Sequence, residues 1–391
     1  MLPVLPCLAL LLIFFLRRPE MFLTPQFWAE DGPVIFVQAD VTGARALLLP
    51  YGGYHHLLLR MIAALAAPLD AVVLPAGYFF ASMAVTIALA AAVFSPRLDL
   101  SYRPACALTL GLVPHTGEVF GNLTNLQWPA ALGLVWLLLA RDATRPGQQI
   151  RDSLLAVVLG LTGVFSVLFA PLFLYRAWQR RSSAAWLIAG LILCTALVQV
   201  TTICRTGGSV SPAGASWSLP LILNTIGLRL GGALCLPMNQ AMHLPPAVAV
   251  SLGLVCLVLL LAAAGWPGPQ RETRRLLAAC LGLILAGTLF RLRQDLGDLH
   301  VITNGDRYFF LPKLLAAWLI IQGLANPGWR RWACAGVCTA LLLTSLVDWR
   351  YERLHDFNWA VYARRIEAGE SVPAIPLNPD GWTFSHPGRH R

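Results

Sequence analysis

The chain has 391 residues, 57% of them hydrophobic and only 12% charged, with a formal net charge of +10. That balance excludes an ordinary water-soluble enzyme and describes a protein dissolved largely in lipid. Its positive charge is almost wholly arginine, Lys313 being the only lysine, and it is scattered between apolar stretches rather than gathered into a basic stripe or a known module, so no nucleic-acid partner is expected.

Taken in chain order, the candidate membrane spans are 1–16, 71–94, 104–113, 124–140, 152–175, 184–203, 245–265, 276–291, 307–324 and 332–347. A spanning helix needs about 20 apolar residues, fewer where it is broken or buried in protein. Met1 to Leu16 has the length of a signal peptide but lacks a basic start and a small-residue cleavage site, so it reads as a retained first helix. Segment 152–175 holds Gly163 and Pro171 and is long enough for two short helices. Segments 55–69 and 219–242 have apolar faces interrupted by polar or basic residues, the pattern of helices lying at the interface. The expected fold is all-α: a polytopic transmembrane bundle of about 9–12 spans. It comprises a domain 1–347, with an external first loop 17–70 carrying interfacial helices, and a short extracytoplasmic tail 348–391.

The excess of arginine in cytoplasmic loops orients such a chain. With the amino terminus inside and 152–175 crossing twice, the inner loops carry Arg97, Arg103, Arg141, Arg145, Arg151, Arg176, Arg180, Arg181, Arg271, Arg274, Arg275, Arg330 and Arg331, against Asp99, Asp142, Asp152 and Glu272. Arg17, Arg18 and the basic tail fall on the wrong side. Glu30, Asp31, His115, Glu118, Asp295, Asp298 and Asp306 then all face outward, although the acids played no part in setting the alternation. The arginine- and alanine-rich composition suggests a bacterial genome, hence a cytoplasmic (inner) membrane with the site facing outward. The cysteines are nine, without a CxxC pair; most lie in apolar runs as small hydrophobes. Only Cys204 and Cys235 fall near loops, where a single disulfide is conceivable.

Three constellations could carry chemistry. In the first loop, Phe27-Trp28-Ala29-Glu30-Asp31 presents two adjacent acids before a Gly32-Pro33 turn, and Val34 to Val37 could dip into the interface. A carboxylate such as Asp31 could take a proton from an incoming hydroxyl or help hold a divalent metal, or it could merely cap the next helix. Tyr51, Gly52, Gly53, Tyr54, His55 and His56 form a second turn rich in hydrogen-bonding groups. The second constellation runs from Pro114 to Trp128; as a helix it would align His115, Glu118, Asn122 and Asn125 on one face, close to Gln127, with Gly117 and Gly121 allowing close backbone approach. That stripe would line a wet cavity, the alternative being a hydrogen-bonded turn between two helices. In the third, from Asn304 to Lys313, Arg307 beside Tyr308 at a helix mouth suits a phosphate, because guanidinium offers a planar fork of donors. Lys313 could pair with an anion, and Arg205 and Arg60 are further candidates of the same kind. An Arg307–Asp306 surface pair with Tyr308 as an interfacial anchor is the plain alternative. The tail's prolines, from Pro373 through Pro379, rule out a helix there, and its aromatics suggest a flap on the outer face.

Walker A, GxGxxG, HExxH and zinc-spaced Cys/His patterns are all missing, which argues against a nucleotide-driven pump or a Rossmann enzyme. No internal repeat is evident, which weighs against a transporter of inverted halves. The Glu30-Asp31 pair in the first external loop, Arg307-Tyr308 at a late helix mouth, and the terminal Pro-Leu-Asn-Pro-Asp-Gly-Trp element resemble the bacterial GT-C superfamily of polytopic glycosyltransferases. The resemblance implies transfer of a sugar, with inversion, from a polyprenyl-phosphate-linked donor to a cell-envelope glycan or lipid acceptor. It implies Asp31 as base or metal ligand with Glu30 in support, Arg307 neutralising the donor phosphate, and a divalent ion (Mg or Mn) as a possible cofactor. The competing expectations are a transporter or flippase for a lipid-linked or anionic solute, and a non-catalytic assembly subunit.

Overall fold

The computed structural model describes residues 3–207, 218–268, 270–301 and 305–389. Asn304, the first residue of the third constellation, lies outside the described residues. The chain is mostly helical. Among the described residues, Ala71–Ala92, Ser183–Thr206, Pro246–Gly265 and Arg271–Arg291 are long and apolar enough to cross a membrane. The remaining expected spans appear as shorter helices, including Val4–Arg17, Arg103–Leu112, Gln127–Leu139, Arg307–Gly323 and Trp329–Val347. Segment 152–175 is divided as expected, into Pro146–Gly160 and Phe165–Arg180. The break falls at Gly163, whose φ of +83° is a left-handed conformation that a side chain disfavours.

Local signals explain several boundaries. The Asp70 carboxylate accepts from Val72 N at 2.8 Å and starts the turn that leads into Leu74–Ala92. Ser182 caps Ser183–Thr206 through Ala185 N, and Gly207, at φ +75°, ends it. Segment 219–242 is not a single helix. Its helix Leu219–Ile226 continues into a widened turn, Gly227–Gly232, that is buried throughout. The reason is backbone contact: a Cβ on Gly227 would meet the Ala249 carbonyl oxygen at 1.8 Å, so only glycine admits Pro246–Gly265 this closely. Cys204 and Cys235 are free thiols, so the conceivable disulfide is not formed.

The bundle has two distinct ends. The Gln127–Leu139 helix leads from Gln127 to Arg141 and Asp142, Phe165–Arg180 from Phe165 to Arg180, and Arg271–Arg291 from Glu272 to Arg291. At one end Arg97 pairs with Asp152, Arg180 with Asp142 and Arg176 with Glu272. Gln127, Gly163 and Arg291 gather at the other. A helix of the Arg271–Arg291 length spans about 30 Å, the thickness of a bilayer core. Arg17 and Arg18, the exceptions to the charge rule, are buried. Arg17 donates to the carbonyls of Gly111 (2.5 Å), Asp348 (2.9 Å) and Trp349 (3.0 Å), so it fastens the tail to the bundle.

The tail corrects the all-α expectation. After the helix Trp359–Glu367, the strands Val372–Leu377 and Trp382–His386 pair antiparallel. Alternation explains the sheet: Ile375, Leu377 and Phe384 turn inward while their neighbours face out. Nor is the first loop a simple turn after Glu30-Asp31. Gly32–Phe36 winds helically into Val37–Thr42, and Ile35 and Phe36 join the tail in a second apolar core rather than dipping into lipid. Trp359 anchors this core; its ring meets Phe27 at 4.8 Å and its indole N–H donates to the Ala71 carbonyl at 2.7 Å. Trp359→Ala is expected to cost roughly 3–5 kcal/mol of local stability. Limited proteolysis in detergent checks this: the tail should become cleavable while the bundle stays intact.

Candidate functional site

The tail sets the position of the two acids. Ala29 N donates to the Asn378 carbonyl at 2.5 Å and Asn378 N to Phe27 O at 3.3 Å, so the Pro-Leu-Asn-Pro element lies as a strap along Phe27–Ala29. The tight turn Ala29–Asp31 then sends the adjacent side chains in different directions. Asp31 is 1% exposed. One of its oxygens accepts from Thr124 N and Thr124 Oγ1, both at 2.8 Å, and the other from Trp28 N at 3.4 Å. Burial pushes its carboxyl up to about 7, against the pull of the Thr124 bonds. Glu30 instead lines a cavity and accepts from the Tyr51 hydroxyl at 2.8 Å.

The opposite wall is the start of Arg307–Gly323. Glu118 accepts from Arg307 N at 2.7 Å and from its guanidinium at 3.3 Å, which orients the cation across the Tyr308 ring. Burial raises the Glu118 carboxyl while Arg307 opposes the rise. Behind them Asp306, fully buried, accepts from Lys313 Nζ at 2.7 Å and Thr116 N at 2.8 Å and faces Arg229 at 3.5 Å. Asp306 therefore neutralises buried cations, and the surface pair Arg307–Asp306 does not form.

Two cavities meet here. One, of about 200 Å³, is polar and includes Glu30, Tyr51, His56, Arg60, Asn125 and Arg307 in its wall. The other, of about 220 Å³, is lined mainly by apolar side chains such as Phe165, Leu168, Ile203, Ile284 and Phe290. They share Gly52, Tyr54, Gln127, Trp128, Arg291 and Tyr308. Arg291, in the last turn of Arg271–Arg291, stands on that seam and has no carboxylate partner among the described residues. Sequence reasoning passed over it, because it lies at the edge of an apolar span with no motif around it. Its signal was only an arginine pair, Arg291 and Arg293, at an end of the helix remote from the arginine-rich loops.

Other expected residues divide cleanly. Glu30, His56, Asn125, Gln127, Arg307 and Tyr308 line the polar cavity. Asp31 and Glu118 support it from behind. His115, Asn122, Lys313 and Arg205 line neither cavity. His115 is buried, accepts from Gly117 N at 2.7 Å and lies 2.8 Å from the Tyr351 hydroxyl, so it docks the tail. Asn122 closes its own loop through Glu118 O and Asn125 N. Lys313 serves Asp306 and the Pro114 carbonyl, while Arg205 is exposed. His55 is held through its backbone by Gln199. Asp295 and Asp298 are exposed and outside both cavities. Of the two readings, the loop from Pro114 to Leu126 takes the hydrogen-bonded turn rather than the helix: φ values of +86° at Gly117 and +77° at Gly121 break a helix there. Close approach is what these glycines provide, since a Cβ on Gly117 would lie 2.5 Å from the Tyr351 ring.

No protein-family model matches the chain, and neither a curated protein nor a solved structure is detectably similar to it. For the expected divalent ion, Glu30 is the single carboxylate in the polar wall among the described residues. The Asp31 oxygens are taken by Thr124 and Trp28, and those of Glu118 by Arg307. Among the described residues no three His, Cys, Asp or Glu side chains group to hold a metal. The described residues do not fit an ion held by this chain.

Proposed function

We propose that the protein is an integral-membrane glycosyltransferase that moves a sugar from a polyprenyl-phosphate donor to a cell-envelope glycan or lipid acceptor. The observation that carries this reading is the seam: an apolar cavity and a polar one fused side by side, with a guanidinium between them that no described carboxylate neutralises. An isoprenoid needs the first, a sugar and an acceptor hydroxyl need the second, and the linking phosphate needs the cation. The bundle crosses the bacterial inner membrane about 9–12 times, with the cavity end outward and the arginine-rich end in the cytoplasm.

The reaction assigned to this arrangement is a single displacement with inversion. The acceptor oxygen attacks the anomeric carbon as Glu30 takes its proton. The bond from that carbon to the phosphate oxygen breaks, and its electron pair leaves with the carrier phosphate. Arg291 and Arg307 hold the charge that develops there. Glu30 takes the base role because it faces the cavity, and Asp31 becomes a positioning residue beneath it. This exchanges the roles expected from the sequence.

Binding of a ten-carbon isoprenyl phosphate to the purified protein tests the reading. Arg291→Ala should weaken it by roughly tenfold to a hundredfold, the range of a lost charge-assisted hydrogen bond, and Arg291→Lys by less. Wild-type protein that does not bind this phosphate would end the proposal. A flippase would share that binding, so sugar transfer decides between the two.

A further inference from the structure

The turn Tyr51–Tyr54 sits where the two cavities meet. Gly52 and Tyr54 belong to the walls of both, whereas Tyr51 lines the polar one alone. The chain reverses at Gly52 and Gly53, with φ of +60° and +95°. Tyr51 and Tyr54 close the turn by exchanging backbone hydrogen bonds at 3.0 and 3.3 Å. A glycine pair ordinarily makes a loose loop, but this one is fastened just beyond its end. Gln199 accepts from His55 N at 2.8 Å and donates to His55 O at 3.1 Å. Gly163 N also donates to His55 O, at 3.0 Å, and Leu57 N to Leu161 O at 2.8 Å. The bundle therefore grips the chain next to Tyr54, and the phenol is presented in a fixed place.

The surroundings of that phenol show where its hydroxyl points. The Arg291 and Arg307 guanidinium groups both act on it, as does the Tyr308 phenol, and Gln127 lies against its oxygen. All four residues line the polar cavity, and Gln127, Arg291 and Tyr308 line the apolar one too. Gln127 turns its Oε1 toward Gly163, where a Cβ would lie 2.8 Å away, so its NH2 is left for the phenol oxygen. The phenol proton is then directed to some other acceptor. Tyr51 on the same turn differs, because its hydroxyl donates to Glu30 at 2.8 Å. Burial raises the Tyr54 hydroxyl to about 12 against the pull of the two guanidinium groups, so it stays neutral and able to donate. A phosphate seated against Arg291 and Arg307 gains one more hydrogen bond from such a group. That bond strengthens as charge collects on the leaving oxygen.

We infer that Tyr54 is a third protein group on the donor phosphate, its hydroxyl donating to a phosphate oxygen at the seam beside Arg291 and Arg307. The phenol keeps its proton throughout, so no transfer step is added to the displacement. The inference rests on the donor reading above and adds a catalytic residue to it. It also divides the two phenols of one turn between the two halves of the reaction. Tyr51 serves the base Glu30, and Tyr54 serves the leaving group.

The test uses the intact protein in detergent and the ten-carbon isoprenyl phosphate as the probe. Tyr54→Phe removes one oxygen and keeps the ring, which packs against His56 at 4.8 Å. Its affinity for the probe should fall roughly tenfold, the worth of a hydrogen bond to a charged group. The phosphorus-31 resonance of the bound probe should move as well, because a donor to the phosphate is lost. Tyr51→Phe deletes the neighbouring hydroxyl from the same turn, and should leave affinity within roughly twofold of wild type and the resonance in place. Thermal unfolding serves as the folding control, and both variants should melt as wild type does. Unchanged affinity and resonance in Tyr54→Phe would overturn the assignment while the donor reading stands. Equal losses in Tyr51→Phe and Tyr54→Phe would also overturn it, since the turn as a whole would then be responsible. Wild type that does not bind the probe overturns the donor reading and the Tyr54 assignment with it.

Discussion

Glu30→Gln lowers sugar transfer by roughly a thousandfold, within the range lost when a positioned general base is removed, while affinity for isoprenyl phosphate is unchanged or rises. The amide preserves the volume and can still accept from the Tyr51 hydroxyl, now 2.8 Å from the carboxylate. It cannot take a proton. Removing a negative charge from the wall it shares with Arg291 and Arg307 also leaves more of their field for the phosphate. Transfer rates and carrier affinity, measured on the same preparation, separate the chemical step from binding. Asp31→Asn is the paired control, because its carboxylate is closed off behind Thr124 and its loss should cost far less than that of Glu30. Should the Asp31 variant collapse and the Glu30 variant transfer normally, the base would be Asp31 after all.

Asp31 has its own large effect, on stability. Its carboxyl is raised by burial from 3.8 to about 7, so the folded state holds a proton that the unfolded chain releases at lower pH. The stability from this group is fully present below about pH 4 and is lost as pH rises through 7. A displacement of that size corresponds to roughly 4 kcal/mol. Thermal unfolding in detergent at pH 5 and pH 8 samples the part lost between those values, roughly 3 kcal/mol. Wild type should melt at the lower temperature at pH 8, and Asp31→Asn should show a smaller drop, because the amide oxygen keeps both Thr124 bonds and carries no charge to bury. Glu118 is shifted upward too, so the quantity that matters is the difference between the two proteins' drops. Equal drops would show that Asp31 is not the group responsible.

Much of the site follows from charge economy in an apolar chain. With so few acids, Glu30, Asp31, Glu118 and Asp306 stand out in the sequence, and the fold brings Glu30 and Glu118 to Arg307 and Asp306 to Lys313. What each acid does is another matter. Asp31 and Glu30 are adjacent and alike in chemistry, yet one is closed off by Thr124 and the other lines a cavity with Arg307. Thr124 is 93 residues from Asp31, and no local pattern announces that meeting. Arg291 was illegible for a related reason: its importance comes from lacking a carboxylate partner among the described residues, and partners are assigned only by packing.

The sequence by itself determined that this is an apolar, mostly helical chain of the kind that crosses membranes, and where most of its apolar helices lie. These are properties of composition and short-range periodicity, which neighbouring residues carry between them. Only the tertiary structure decided that the proline-rich tail pairs as a hairpin and straps the Glu30 loop, that His115 meets Tyr351 and Lys313 meets Asp306, and that a polar cavity shares a wall with an apolar one. Each of those outcomes depends on contacts between segments far apart in the chain. A buried charge or a guanidinium without a carboxylate acquires its energy from whatever the fold places beside it.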